Sequence, residues 1–275
     1  MDVAFRGKVL AITGAGSGIG RALAVLGAQV GAELALSDVN ASGLAETAEQ
    51  VREIGAKVST REVDVASRDA VFGWRDAVLA EHGRCDAIVN NAGVSLTDTI
   101  AEMSWEDLDW IVGINFWGVV HGTKAFLPHL LERRTGWLVN VSSIFGMVAF
   151  PTQGAYHATK FAVRGFTEAL VAETRGSGVT VSCVHPGGIK TNIVRSSRFR
   201  RGRRPGEDRE KVVQTFDEMA RTTPEACART ILQGMVRGEP RILVGNDAKM
   251  LDLAQRLSPR RYRDVLARIE KLTAR

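Results

Sequence analysis

Three cysteines in 275 residues, Cys85, Cys183 and Cys227, are too few and too widely spaced for a disulfide framework, and no C-x-x-C pair offers a metal site. They read as packing residues, the usual place of a free cysteine. The five histidines, His82, His121, His129, His157 and His185, show no ligand spacing, so no metal is expected. No apolar run reaches the roughly 18 residues that a membrane span needs. The opening MDVAFRGKVLAITG lacks the basic start and apolar stretch of a signal peptide, so a soluble cytoplasmic protein is the expectation. Repeats and low-complexity linkers are also missing. With 45% hydrophobic and 24% charged residues, the chain reads as one domain over 1–275.

Charge is present but unevenly spread. The net charge is +5, and residues 195–211, RSSRFRRGRRPGEDREK, hold eight basic and three acidic residues, while the 28 basic and 28 acidic residues elsewhere cancel. No zinc-finger, RRM or helix-turn-helix pattern accompanies the run, so nucleic acid is not an expected partner. A run of this kind reads either as a solvated loop or as a guide for an anionic substrate.

Strand-like and helix-like segments alternate along the chain. KVLAITG, ELALSD, KVSTREVDV, DAIVNNAG, GWLVNVSS, GVTVSCVHPGG and RILVG are short apolar runs. Between them lie amphipathic stretches, including SGLAETAEQVREIG with Ser42 as its N-cap, and one long helix over about 104–133. Alternation at this spacing predicts parallel strands joined by crossovers, hence an α/β Rossmann fold, a doubly wound sheet with flanking helices. The tail 246–275 reads as two helical pieces broken at Ser258-Pro259, the second with an apolar stripe of Tyr262, Val265, Leu266, Ile269 and Leu272. That stripe suits packing on the body, on another subunit or on a membrane surface.

Directly after the first strand stands TGAGSGIG, Thr13 to Gly20, with glycines at Gly14, Gly18 and Gly20 rather than at the G-x-G-x-x-G positions. A glycine-rich turn that opens a helix lets backbone N–H groups approach a pyrophosphate. The second strand ends at Asp38, where a carboxylate can accept hydrogen bonds from an adenosine ribose diol. A 2′-phosphate would meet like charge there, and Ser17, Ser37, Val39 and Asn40 supply no cation, so NAD is expected over NADP. Asp38 could alternatively serve only as a turn or helix cap.

With that loop, Asp64-Val65, NNAG at 90–93, IN ending at Asn115, Ser143, Tyr156 and Lys160 in Y-x-x-x-K, and PGGIKT at 186–191, the sequence closely resembles the short-chain dehydrogenase/reductase family over about residues 7–191. The resemblance implies an oxidoreductase acting on CH–OH groups with NAD(P). Asn115, Ser143, Tyr156 and Lys160 would be its catalytic tetrad, Asn115 holding a water that links Lys160 to solvent. Gly14, Ser17, Gly18, Ile19, Gly20, Asp38, Asp64, Val65, Asn91, Ala92, Gly93, Tyr156, Lys160, Pro186, Gly187, Ile189 and Thr191 would contact the dinucleotide. It also implies a homodimer or homotetramer built on the helices at 104–133 and 152–175, and a substrate lid at 192–222. Thr159 replaces a commoner serine, and the D-G-G ending of the family's acyl-carrier-protein reductases is missing.

The residue types suit the chemistry. A tyrosine with an ordinary pKa of about 10 is a poor base. An ammonium about 4 Å away would favour the phenolate by roughly 4 kcal/mol at an effective dielectric near 20. Lys160 one helical turn on is therefore expected to draw Tyr156 towards neutrality, and Ser143 to donate to the substrate oxygen. His157 projects about 100° away from Tyr156 and is not expected to take part. The substrate side reads as apolar, with Val94, Leu96, Ile144, Phe145, Met147 and Phe150, and with Ser95 and Gln153 as polar candidates. The leading expectation is an NAD-dependent interconversion of a secondary alcohol and a ketone on a hydrophobic or aromatic body. An NADPH-dependent carbonyl or ketoacyl reductase and a non-catalytic dinucleotide sensor are the alternatives.

Overall fold

The computed structural model describes residues 2–202 and 208–262. Its strands are β1 (Val9–Thr13), β2 (Glu33–Asp38), β3 (Val58–Glu62), β4 (Ala87–Asn90), β5 (Leu96–Thr97), β6 (Gly136–Val141), β7 (Val179–Pro186), β8 (Arg198–Phe199) and β9 (Arg241–Val244). Its helices are α1 (Asp2–Phe5), α2 (Gly18–Gln29), α3 (Ala41–Glu53), α4 (Arg68–His82), α5 (Trp105–Val112), α6 (Gly118–Arg133), α7 (Gly154–Glu173), α8 (Arg209–Met219), α9 (Pro224–Arg237) and α10 (Asn246–Leu257).

Seven strands form one parallel sheet in the order β3-β2-β1-β4-β6-β7-β9. Both faces are covered at the centre, which is why β1 and β4 are apolar and buried without alternation, while the edge strand β3 is polar and largely exposed. In β1, Leu10 and Ile12 pack with Leu23 and Leu26 of α2 and Ile231 of α9. Val9 and Ala11 of the same strand pack with Trp74 of α4 and Phe126 of α6. The three cysteines are buried and unpaired. Burial pushes each thiol up to about 12, which leaves them inert packing groups.

Four local features depart from the sequence reading. The N-cap of α3 is Asn40, whose Oδ1 accepts from Gly43 N at 3.1 Å, and Ser42 lies inside the helix. Strand β3 stops at Glu62, so Asp64 and Val65 sit in the turn beyond it. The expected long helix is two α segments joined by a π turn, Gly113–Trp117, with Asn115 in its middle. A second sheet, unforeseen, pairs β5 with β8 in parallel. The break after Leu257 stands as expected and Tyr262 beyond it is buried. Val265, Leu266, Ile269 and Leu272 lie outside the described residues, as do Arg203 and Arg204.

Candidate active site

The strand order reverses between β1 and β4, and a crevice at the carboxyl ends of a parallel sheet is where such folds take ligands. The glycine loop leaves β1 here. A Cβ on Gly20 would lie 2.1 Å from the Gly14 carbonyl oxygen, so only hydrogen fits at that position. Asn91, just past β4, holds the loop from the other side: its Nδ2 donates to the carbonyls of Thr13 at 2.9 Å and Gly14 at 3.1 Å. Thr13 Oγ1 accepts from the backbone N–H of Asn91 and of Ala92, each at 3.0 Å. Ser17 takes the N-cap position of α2 with no side-chain cap bond, and Ile19 packs on the core below. Thr191 rests against Gly18, its Cγ2 3.1 Å from an ideal Cβ position there.

Asp38, at the end of β2, turns its carboxylate to this loop. Its Oδ2 accepts from Gly16 N at 2.8 Å and its Oδ1 from Asn40 N at 2.9 Å. A cation absent from the sequence reading stands nearby: Arg21 Nη2 donates to the carbonyls of Gly16 at 2.6 Å and Gly43 at 3.2 Å and pairs with Glu46 at 2.8 Å. Asp64 is exposed with Oδ1 bound to Ala66 N, and Val65 beside it is buried. On the far side, Pro186 ends β7, Gly187 N donates to the Val244 carbonyl at 2.9 Å, and Ile189 is buried. Asp247, which no motif flagged, fixes this turn by accepting from Gly188 N at 2.6 Å.

Asn115, Ser143, Tyr156 and Lys160 are all buried, and they lie together: the Ser143 hydroxyl faces the Tyr156 phenol, Lys160 stands over the Tyr156 ring, and Asn115 and Lys160 both approach Gly93. Asn115 Oδ1 accepts from Val94 N at 2.8 Å, while its Nδ2 donates to Val94 O at 2.9 Å and Thr159 Oγ1 at 3.3 Å. Thr159 thus serves where serine is commoner, with its hydroxyl also donating to the Tyr156 carbonyl at 2.8 Å. Gly93 lies between two of the four: a Cβ there would be 3.3 Å from Asn115 Oδ1 and 3.4 Å from Lys160 Nζ. Ser143 Oγ accepts from Phe145 N at 3.1 Å, and its carbonyl accepts from His185 Nδ1 at 3.0 Å. His185 is held neutral, its pKa pushed down to about 4 by burial, so a histidine outside the expected set buttresses Ser143 from behind.

The electrostatics run against the expected Tyr–Lys coupling. Burial pushes the Tyr156 phenol up to about 12, with only the facing Ser143 hydroxyl pulling it down. Burial also pushes Lys160 down to about 8. Lys160 Nζ donates to the Val141 carbonyl at 3.0 Å and stands 5.7 Å from the Tyr156 ring centroid. For each group burial is the dominant influence, and it disfavours the charged form of both.

On the substrate side, Val94, Leu96 and Phe145 cluster with Tyr156, joined by Met103, Leu108, Trp110 and Ile193. Ile144, Met147 and Phe150 pack instead towards Ala248 and Tyr262, with Phe145 bridging the two clusters. Gln153 Nε2 is turned onto Thr97 Oγ1 at 2.9 Å, and the Ser95 carbonyl accepts from Arg198 N at 3.0 Å. His157 pins the 145–150 wall: its Nε2 accepts from Phe150 N at 2.8 Å, which leaves the proton on Nδ1 to donate to the Phe145 carbonyl at 3.0 Å. Among the described residues no group of three or more His, Cys, Asp or Glu could hold a metal.

The short chain dehydrogenase model matches residues 8–201. The chain belongs to the short-chain dehydrogenase/reductase family. As an oxidoreductase of that family it is 45% identical over 266 residues to SadH of Mycobacterium tuberculosis, a protein named as an oxidoreductase, across 96% of this chain and 95% of that one. It is 31% identical to rat estradiol 17-beta-dehydrogenase 11, across 95% of this chain and 83% of the relative. A family member from Burkholderia phymatum, solved in complex with NAD, superposes with a TM-score of 0.84 at 30% identity, over 92% of this chain and 94% of that one. The tight Gly14–Gly20 turn at an α2 N-terminus and the carboxylate at the end of β2 fit the NAD(P) that the family binds.

Proposed function

We propose that this short-chain dehydrogenase/reductase interconverts a secondary alcohol and a ketone on a neutral, apolar body, with NAD as hydride carrier. The reading is carried by one observation, the convergence of Ser143, Tyr156 and Lys160 beside the glycine loop at the sheet's reversal point. When bound, the nicotinamide supplies hydride transfer. Tyr156 then exchanges the hydroxyl proton, Ser143 hydrogen-bonds the reacting oxygen, and Lys160 and Asn115, on either side of Gly93, hold the nicotinamide end and its proton path.

Asp38 supports NAD, because its carboxylate faces the loop where a 2′-phosphate would sit, and like charges brought together cost several kcal/mol. Arg21 is what favours the NADPH alternative, yet its charge is answered by Glu46 and two carbonyls. Titration of both cofactors with a panel of aromatic, steroidal and aliphatic secondary alcohols tests this. A kcat/KM ratio of about 10² or more for NAD over NADP is expected, and a ratio near one or below overturns the assignment. A chain that bound NAD and turned over nothing in the panel would be the non-catalytic sensor.

The reading takes the chain as a homodimer or homotetramer. Trp105 at 80% exposure, Trp117 at 49% and Phe161 at 40% leave apolar surface on α5, the π turn and α7 for a second copy to cover. A one-chain mass by light scattering would overturn that part.

A further inference from the structure

We propose that Asp107 anchors a latch that holds residues 193–202 against the substrate side of the site, with Arg198 and Arg200 as its two hooks. Asp107 lies on α5 with its side chain 3% exposed. Its Oδ1 receives Arg198 Nη1 at 2.8 Å and Arg200 Nη2 at 3.1 Å, and its Oδ2 receives Arg200 Nε at 2.7 Å. The two guanidiniums hold the carboxyl at about 2, so the anchor stays charged through the working pH range. The Arg198 guanidinium carbon also sits over the ring of Trp110, on α5 like Asp107, 3.9 Å from the ring centroid.

The hooks matter because the backbone attachment they accompany is short. Strand β8 has two residues, and such a pairing is marginal in water. Arg198 N donates to Ser95 O at 3.0 Å, and Arg200 N and Arg201 N to Thr97 O at 2.9 and 3.2 Å. Strand β5 is in turn tied to the start of α7, with Asp98 N donating to Thr152 O at 2.9 Å and Gln153 Nε2 to Thr97 Oγ1 at 2.9 Å. The stack therefore runs from the lid through β5 to the turn that launches Tyr156. It also fixes Ile193, which packs with Tyr156, Leu96 and Phe145. Exposed ion pairs contribute little, whereas a buried carboxylate filled by three charge-assisted bonds cannot be released to water cheaply.

The latch changes the reading of the arginine run. Among the described residues, Arg195 pairs with Asp217, Arg198 and Arg200 with Asp107, and Arg201 with Glu102. These four arginines are committed to carboxylates and hold the segment in place, while Arg209 donates to the carbonyls of Arg195 and Ser197. The latch itself does not rest on the proposed function.

Hydrogen exchange read by mass spectrometry on peptides spanning 193–202 tests the latch with neither cofactor nor substrate present. Asp107→Asn, Arg200→Gln and the double variant are compared with the parent. Because Arg200 is 54% exposed, its variant keeps the fold even where Asp107→Asn fails to. Each single variant is expected to speed exchange of the Arg198, Arg200 and Arg201 amides by about ten-fold with β1 and β4 unchanged, and the double variant to add little to Asp107→Asn. Unchanged exchange in Arg200→Gln, or fully additive effects, overturns the proposal. With an alcohol substrate in hand, the variants raise KM by about ten-fold, more than they change kcat. Should the chain turn over no alcohol, the exchange result still decides the latch, and the failure belongs to the proposed function.

Discussion

Tyr156→Phe is expected to lower kcat by about 10² to 10⁴-fold, the range a positioned general acid or base contributes, while the affinity for NAD stays within about three-fold. The substitution removes an oxygen and little else. The ring keeps its edge contact with Phe145, 5.9 Å away, and its place in the cluster with Leu96 and Ala155. With the phenol pushed up to about 12, the protonated form prevails at neutral pH, so the group is ready to give a proton to a carbonyl oxygen. Taking a proton from an alcohol requires the phenolate, whose share rises with pH. Alcohol oxidation should therefore climb as pH rises above 7, and ketone reduction should not. Initial rates in both directions on parent and variant measure this, with NAD affinity from fluorescence titration. A variant retaining more than about a tenth of kcat would remove Tyr156 from the mechanism.

Lys160→Met is expected to abolish most activity, by about 10²-fold or more if Lys160 holds the nicotinamide end and its proton path, and at the same time to stabilise the protein at neutral pH. Lys160 is charged and buried, and the fall from 10.5 to about 8 records what burial costs. Between those two values the unfolded chain binds a proton that the folded chain does not, so the cost of the lysine fades as pH rises through that window. Below about pH 8 it is fully present, at most about 3 kcal/mol. Methionine removes it and forfeits the bond from Nζ to the Val141 carbonyl, worth about 1 kcal/mol. A net gain of about 1–2 kcal/mol at pH 7 should lift the melting temperature by roughly 2–6 °C for a chain of this size, and the gain should shrink by pH 10. A variant less stable than the parent at pH 7 would show that the buried ammonium is better solvated than its surroundings imply.

The motifs were legible because each is a local solution to a local problem. Gly14, Gly18 and Gly20 announce a backbone that nothing larger could follow, and Tyr156 and Lys160 share a helix face by their spacing alone. Less could be read wherever the partner is remote in sequence. Arg198 and Arg200 meet Asp107 from 91 and 93 residues away, so the run looked like free charge. Asp247 reaches Gly188 across 59 residues. The expected pull of Lys160 on Tyr156 failed for another reason: spacing gives proximity, but not the water that burial removes. Asn40 and Ser42 are both good caps, and only the backbone decides between them.

The π turn at Gly113–Trp117 also sets the angular phase of the rod that carries it. On an unbroken α-helix, residues 16 positions apart fall about 160° apart around the axis, on nearly opposite sides. One residue absorbed by the wider turn cuts that offset to about 60°. Asp107, Asn115 and Thr123 are all buried along this rod, so a single inserted residue lets one continuous helix turn the latch carboxylate, the crevice amide and the hydroxyl beneath Asn90 and Asn140 towards the same body. Were the same residues to run as unbroken α-helix, everything beyond the turn would swing by about 100° and the two ends of the site would part.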